Sequence, residues 1–216
     1  LEAATEDIEF ADGAFRVAGT DRAIELRDLA SRMRAGEVPG DGSSEAPENL
    51  DVSMVVETPP SAFPNGCHIC EIELDPDTGS IVLDRYTAVS DFGVIINPML
   101  VEAQIHGGLT QGAGQVLLEE VRFDEDGQMQ TGSFMDYCIP RATDLPDMGS
   151  MIIGDHPVPT QTNPLGVKGC GEAGTTGAMP AVFNAVVDAL AQKGVSGFQM
   201  PATPHKIWQL LNAANG

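Results

Sequence analysis

The stretch SIVLDRYTAVSDFGVIINPMLVEAQIHGGLTQGAGQVLLE, residues 80–119, decides the fold class, because it reads as a strand that gives way to a long helix. Ser80 to Ser90 is rich in β-branched and aromatic residues, which suit a pleated, half-buried surface. Asn97-Pro98 then supplies a helix N-cap and a proline at the first helical position, where its missing N–H costs nothing. The helix is expected to run to about Glu119. Upstream, Cys67 to Leu74 and Val52 to Thr58 also read as strands. Asp75-Pro76-Asp77-Thr78-Gly79 forms the turn into Ser80, so the three strands are expected to form a meander.

Further towards the amino end, DIEFADGAFRV (7–17) alternates around Asp12-Gly13, a dipeptide that favours a tight hairpin turn. Leu26, Leu29, Ala30 and Met33 recur at helical spacing up to Gly36, predicting a short helix. From Gly36 to Asp51 the composition shifts to Gly, Ser, Pro and acids, including Glu37, Asp41, Glu45, Glu48 and Asp51, with no basic residue. This is expected to be a loop or linker. Downstream, short β segments are expected around Asp126-Gly127 and from Met151 to Ile153. A second helix should start near Thr175 or Thr176 and continue to about Gln192, ended by Gly194. A last helix begins at Thr203-Pro204 and carries Ile207, Trp208, Leu210 and Leu211. Strands and helices do not alternate strictly, so the expected class is α+β, with mixed sheets and packed helices. Two parts are expected: residues 1–50, with the hairpin, helix and acidic linker, and residues 51–216.

At 216 residues and 42% hydrophobic, the chain can bury a real core. A formal charge of −21, from 32 acids against 11 bases, repels phosphate backbones and anionic lipids, so nucleic acid is not an expected partner. No apolar run approaches the roughly 20 residues that cross a bilayer, and no secretory signal is visible, so neither a membrane span nor export is expected. Four cysteines do not form a disulfide framework in a chain this long; free thiols in a reducing compartment, the cytoplasm, fit better. The chain opens on Leu1, so a fragment or processed subunit is one reading.

Two segments could carry chemistry. Within the helix from Pro98, Gly107, Gly108, Gly112 and Gly114 should each cost on the order of 1 kcal/mol relative to alanine, which implies that something approaches the backbone closely. Gln104, Gly108, Gln111 and Gln115 share one helical face. Neutral amides beside a glycine floor suit a pterin-like ligand with donor and acceptor edges; from spacing alone, tight helix packing with amides at its rim stands slightly ahead. In the loop Asn163 to Gly174, glycines at 166, 169, 171 and 174 surround a single carboxylate, Glu172, just before a helix. Glu172 reads either as a general base or as a helix N-terminal acid that complements the dipole. Lys168 precedes the glycines, so the loop is not a phosphate-binding P-loop. Cys67-His68-Ile69-Cys70 has metal-pair spacing but no second pair, and reads as plain strand.

Taken in order, VSDFGVIINPMLVEAQIHGGLTQGAGQVLLEEV (89–121), TGSFMDYCIPRATDLP (131–146) and TNPLGVKGCGEAGTTGAMPAVFNAVVDAL (162–190) resemble the molybdenum-binding large subunits of the xanthine dehydrogenase, aldehyde oxidase and aerobic carbon monoxide dehydrogenase family. NGCHICEIELDPDTGSI (65–81) and MPATPHKIW (200–208) extend the resemblance over most of the chain. It implies the carboxy-terminal part of a molybdopterin-binding domain, with 51–216 as the cofactor-binding region. It implies Glu172 as the catalytic base. Gln111 and Gly112, with Gln104 and Gly108 on the same helix, and Lys168, Gly169, Cys170 and Gly171 in the loop, are implied to lie at the cofactor. The implied cofactor is molybdenum-molybdopterin, with the cytosine dinucleotide form admitted. The implied reaction hydroxylates a small-molecule substrate with oxygen from water, and electrons leave through iron–sulfur clusters and FAD on partner subunits. Large subunits of this kind are much longer, so the remainder of the subunit is an implied partner, and the isolated chain should lack turnover. A non-catalytic binding or assembly module that keeps the fold is the alternative.

Overall fold

A computed structural model describes residues 3–37, 50–57, 60–146 and 151–214, with the side chains of 151–153 outside that description. Most of the acidic linker, residues 38–49, therefore lies outside the described residues. The chain divides into two compact units, Leu1–Thr58 and Pro59–Gly216.

In the first unit, Asp12 and Gly13 both take positive φ, 52° and 78°, the conformation that lets a two-residue turn follow the twist of its strands. They join β1 (Ile8–Ala11) to β2 (Ala14–Val17), and β3 (Ala23–Glu25) pairs antiparallel on the far side of β2. Helix α1 (Leu26–Arg34) follows as expected. The strand expected from Val52 does not form: residues 52–57 carry no strand, and Val52 and Val55 are 86% and 98% exposed. Their alternation is real, but a strand needs a ladder partner, and none is present among the described residues.

The second unit is built on β4 (Asn65–Leu74) and β5 (Ile81–Asp91), an antiparallel pair closed by the expected turn. The Asp75 carboxylate accepts from Asp77 N and Thr78 Oγ1 at 2.9 and 2.6 Å, and Gly79 has φ 74°. The other edge of β5 pairs with β6 (Met151–Ile153) in parallel, so the sheet is β4-β5-β6 and mixed, not a meander of consecutive strands. Around Asp126-Gly127 only an isolated Phe123–Met129 bridge forms, because Asp124 draws the amides of Asp126 and Gln128 into a tight turn.

Helix α2 (Pro98–Leu117) opens with Asn97 Oδ1 accepting from Leu100 N at 3.2 Å. Helix α3 (Ala173–Ala191) starts two to three residues before the predicted Thr175 or Thr176, and α4 (Pro204–Ala214) closes the fold. Ala178, Val182, Val186 and Leu190 of α3 repeat every four residues and are all fully buried, forming a stripe that meets Leu83 and Tyr86 of β5, Leu109 and Val116 of α2, and Ile207 and Leu211 of α4. Pro180 interrupts no core contact, since it sits on the exposed face of α3.

The glycines of α2 explain its approach to α3. A Cβ at Gly108 would lie 2.7 Å from Thr175 N, and one at Gly112 would lie 2.7 Å from the Ala178 Cβ and 2.8 Å from Met179 N. Gly174 returns the contact, since its Cβ would lie 2.7 Å from Ile105 O. Gly114 gives room to Pro140 and Glu119, whereas Gly107 has nothing within 4 Å. The expected glycine floor is thus filled by α3. For Gly108 and Gly112 the structure shows helix packing, with Gln104, Gln111 and Gln115 exposed at the rim.

Asp91, at the end of β5, ties three segments together. Its Oδ1 accepts from Gly93 N and Val158 N at 2.9 and 3.0 Å, and its Oδ2 accepts from Lys168 Nζ at 2.6 Å. The Lys168 side chain is only 7% exposed. Hydrogen bonding from Lys168, then from the Val158 amide, holds the Asp91 carboxyl down at about 2.

Two predictions follow from these contacts. Gly112→Ala should destabilise by roughly 1–3 kcal/mol through overpacking, while Gly107→Ala, in open space, should stabilise by about 0.5–1 kcal/mol; urea melts compare the two. Asp91→Asn should cost on the order of 3 kcal/mol at neutral pH, because it strands the covered Lys168 ammonium. Since folding depresses the Asp91 pKa, that contribution is full above about pH 4, the ordinary Asp value, and is lost as pH falls towards 2. The stability gap between wild type and Asp91→Asn should therefore close over that window.

Candidate functional site

The loop before α3 is shaped by its own side chains. Asn163 brackets Val167, donating from Nδ2 to its carbonyl at 2.9 Å and accepting its N–H at Oδ1 at 3.2 Å. Gly166 turns the chain at φ 69°. Its carbonyl accepts from Val94 N, and Lys168 N donates to Phe92 O at 2.9 Å, so residues 166–168 are zipped to 92–94. The Lys168 side chain is committed to Asp91 and does not line the cleft described below. Beyond it, Gly169 N meets Ala62 O at 3.4 Å, and the chain enters α3 at Glu172.

Glu172 occupies the N-cap position, yet its side chain makes no capping hydrogen bond and is exposed. It lines a cleft of roughly 700 Å3 together with Gly169 and Gly171, and a Cβ at Gly171 would meet nothing within 4 Å. Phe63, Asn65 and His68, with Ser90 of β5, complete the lining. Cys170, between the two open glycines, is a partly covered free thiol. Gln111 is drawn to the first turn of α3, where its Oε1 accepts from Thr175 Oγ1 at 3.1 Å. Gln104, Gly108, Gln111 and Gly112 do not line the cleft itself. The structure therefore brings Gly169, Gly171 and Glu172 into one cavity, sets Gln111 at the helix end beside them, and turns Lys168 away.

Sequence reasoning passed over His68. On β4, His68, Cys70, Ile72 and Leu74 are partly covered while Cys67, Ile69, Glu71 and Glu73 are exposed, so the two cysteines of the Cys-x-x-Cys spacing face opposite ways. His68 Nδ1 lies 2.8 Å from the hydroxyl of fully buried Tyr86. Burial lowers the His68 pKa, raises that of Tyr86, and pushes the Cys70 thiol up to about 11. The period-2 pattern that places His68 on the inner face was the available signal.

Comparison with known proteins gives these features a family. Residues 1–146 match the molybdopterin cofactor-binding domain family, a match that ends before the Glu172 loop. The 6-hydroxypseudooxynicotine dehydrogenase complex subunit gamma of Paenarthrobacter nicotinovorans is 36% identical over 215 residues, covering 100% of this chain and 26% of that protein. The carbon monoxide dehydrogenase large chain of Hydrogenophaga pseudoflava is 33% identical over 221 residues, again covering 100% of this chain and 26% of that one. Among solved structures, a Cu,Mo carbon monoxide dehydrogenase superposes with a TM-score of 0.76 at 30% identity, covering 100% of this chain and 26% of that one. Quinoline 2-oxidoreductase from Pseudomonas putida 86 superposes with 0.74 at 36%, covering 98% and 26%. The chain spans about a quarter of the length of these relatives. It belongs to the molybdopterin cofactor-binding domain family and so to the large subunits of the molybdenum hydroxylases, of which it represents one part.

Proposed function

We propose that this chain is the carboxy-terminal part of a molybdenum-dependent oxidoreductase that hydroxylates a carbon of a small-molecule substrate with oxygen from water, with Glu172 as the catalytic base. The observation that carries the reading is an exposed carboxylate, free of capping bonds, on the wall of a cleft of roughly 700 Å3 in a chain of this family. That volume is within the range of small-molecule and cofactor sites, and the open backbone at Gly171 lets a flat ligand come close. The residues therefore fit a pterin cofactor, held by Gly169, Cys170 and Gly171 of the loop. Gln111, which meets Thr175 at the first turn of α3, and Gln104 on the same face of α2 are proposed to meet the part of the cofactor that extends beyond the cleft, and Gly108 and Gly112 act by letting α3 pack close.

When bound, the cofactor supplies the two-electron redox chemistry that such a hydroxylation requires. The protein's share is to position and to move protons. Glu172 accepts a proton from the water-derived oxygen as that oxygen adds to the substrate carbon. Asn163 and the Asp91–Lys168 pair hold the loop still, so that the carboxylate needs little reorganisation. Gly171 keeps side-chain bulk out of the space in front of Glu172.

Partners follow from the same reading. The remainder of the large subunit completes the pocket, and iron–sulfur and flavin subunits take the electrons. The cofactor extended as the cytosine dinucleotide is part of the proposal. No helix among the described residues is long and apolar enough to cross a membrane. Four free thiols suit a reducing compartment, and a cytoplasmic location is proposed on that ground.

In the complete enzyme, Glu172→Gln should lower kcat by about a hundred- to ten-thousand-fold while molybdenum and pterin content stay at the wild-type level. Turnover near wild type would sink the assignment, and a complete, matured subunit with neither molybdenum nor pterin would favour a non-catalytic assembly module.

A further inference from the structure

The cleft lined by Glu172 carries a second polar group whose hydrogen-bonding state is determined by its surroundings. Tyr86 is fully buried, and its hydroxyl has one hydrogen-bond partner among the described residues, His68 Nδ1 at 2.8 Å. A buried phenol that only accepted would leave its own O–H unsatisfied, so the hydroxyl donates and Nδ1 is the acceptor. A neutral imidazole whose Nδ1 accepts carries its proton on Nε2. Burial favours the neutral ring, in agreement with that state.

The ring is also held in place. It stands edge-on to Tyr86, with centroids 5.7 Å apart and planes at 84°. Its face lies on Gly177 of α3, where a Cβ would come within 2.6 Å of Cγ, Nδ1 and Cε1. Nε2 has no partner among the described residues, yet it is not a sealed orphan of the kind that His106 Nε2 is. His68 lines the Glu172 cleft, and Nε2 is the ring nitrogen left to face it.

We propose that His68 is a fixed-tautomer ligand-binding residue, donating Nε2–H to an acceptor oxygen or ring nitrogen of the molecule bound in the Glu172 cleft. The identity of that molecule rests on the molybdenum hydroxylase reading; the tautomer does not. Both the pterin and an organic substrate carry such acceptors, and the two sources are separable. Tyr86 and Gly177 are positioning residues that act through His68.

The first measurement is nitrogen NMR on the 216-residue chain with labelled histidine. His68 should show an acceptor-type Nδ1 and a protonated Nε2, and Tyr86→Phe should abolish the preference. An Nδ1–H tautomer in the wild-type chain would overturn the proposal. In the complete enzyme, His68→Phe should act in one of two ways. Molybdenum and pterin content falling severalfold identifies the cofactor as acceptor; full content with KM raised about tenfold and kcat within a few-fold identifies the substrate. His68→Gln, which keeps an N–H donor, should recover most of either loss, whereas a purely structural role would leave Gln no better than Phe. Unchanged cofactor content together with unchanged KM in His68→Phe would overturn the proposal. A subunit that matures without molybdenum or pterin removes the hydroxylase reading instead, and the tautomer measurement still decides the state of His68.

Discussion

Gly108 and Gly112 bring the backbone of α2 against that of α3, and the place of Glu172 depends on this contact. Without side chains at 108, 112 and 174 the two helices touch backbone to backbone at the first turn of α3, immediately after Glu172. Each helical glycine is unfavourable on its own, by about 1 kcal/mol relative to alanine. The stripe from Ala178 to Leu190, fully buried against α2, β5 and α4, offsets that cost. Because the helices run in the same direction along this contact, Gln111 arrives beside Thr175, and the amide face of α2 shares an end with the Glu172 loop.

A second constraint is electrostatic. The segments that follow β5 and β6 meet at Asp91, which gathers them with one carboxylate that receives two backbone amides and a covered ammonium. A single charged acceptor at a strand end thus replaces the ladder hydrogen bonds that irregular chain cannot make. Glu120 does similar work at the other end of α2, where it accepts from Arg122 and from Lys206 of α4.

Local signals in the chain predicted elements well where the deciding forces are themselves local. Asp12-Gly13, Asn97-Pro98 and the Asp75 turn each stabilise their own conformation, and each appears as expected. The segment from Val52 failed because pairing is not a local property: its alternation is strand-like, but no ladder partner lies beside it among the described residues. The glycines of α2 announced a close approach, but not whether a helix or a ligand would make it. In the site, the Glu172 loop was visible as a lone carboxylate among glycines, and resemblance assigned its role. His68 was hidden, since what distinguishes it is Tyr86, eighteen residues away on the neighbouring strand. The ion pair of Lys168 was hidden for the same reason: its partner lies on a different element.

The Asp91–Lys168 contact spans 77 residues of chain. Closing a loop of that length costs roughly 4 kcal/mol of chain entropy, more than one partly covered ion pair returns by itself. The contact therefore forms only after β5, α2 and α3 have already brought its two ends together. On that ordering the loop bearing Glu172 is expected to form late, so that disturbing it should speed unfolding more than it slows folding. None of residues 163–172 belongs to the buried cluster around Ala178, Val182, Val186 and Leu190, so the loop can open without that cluster coming apart.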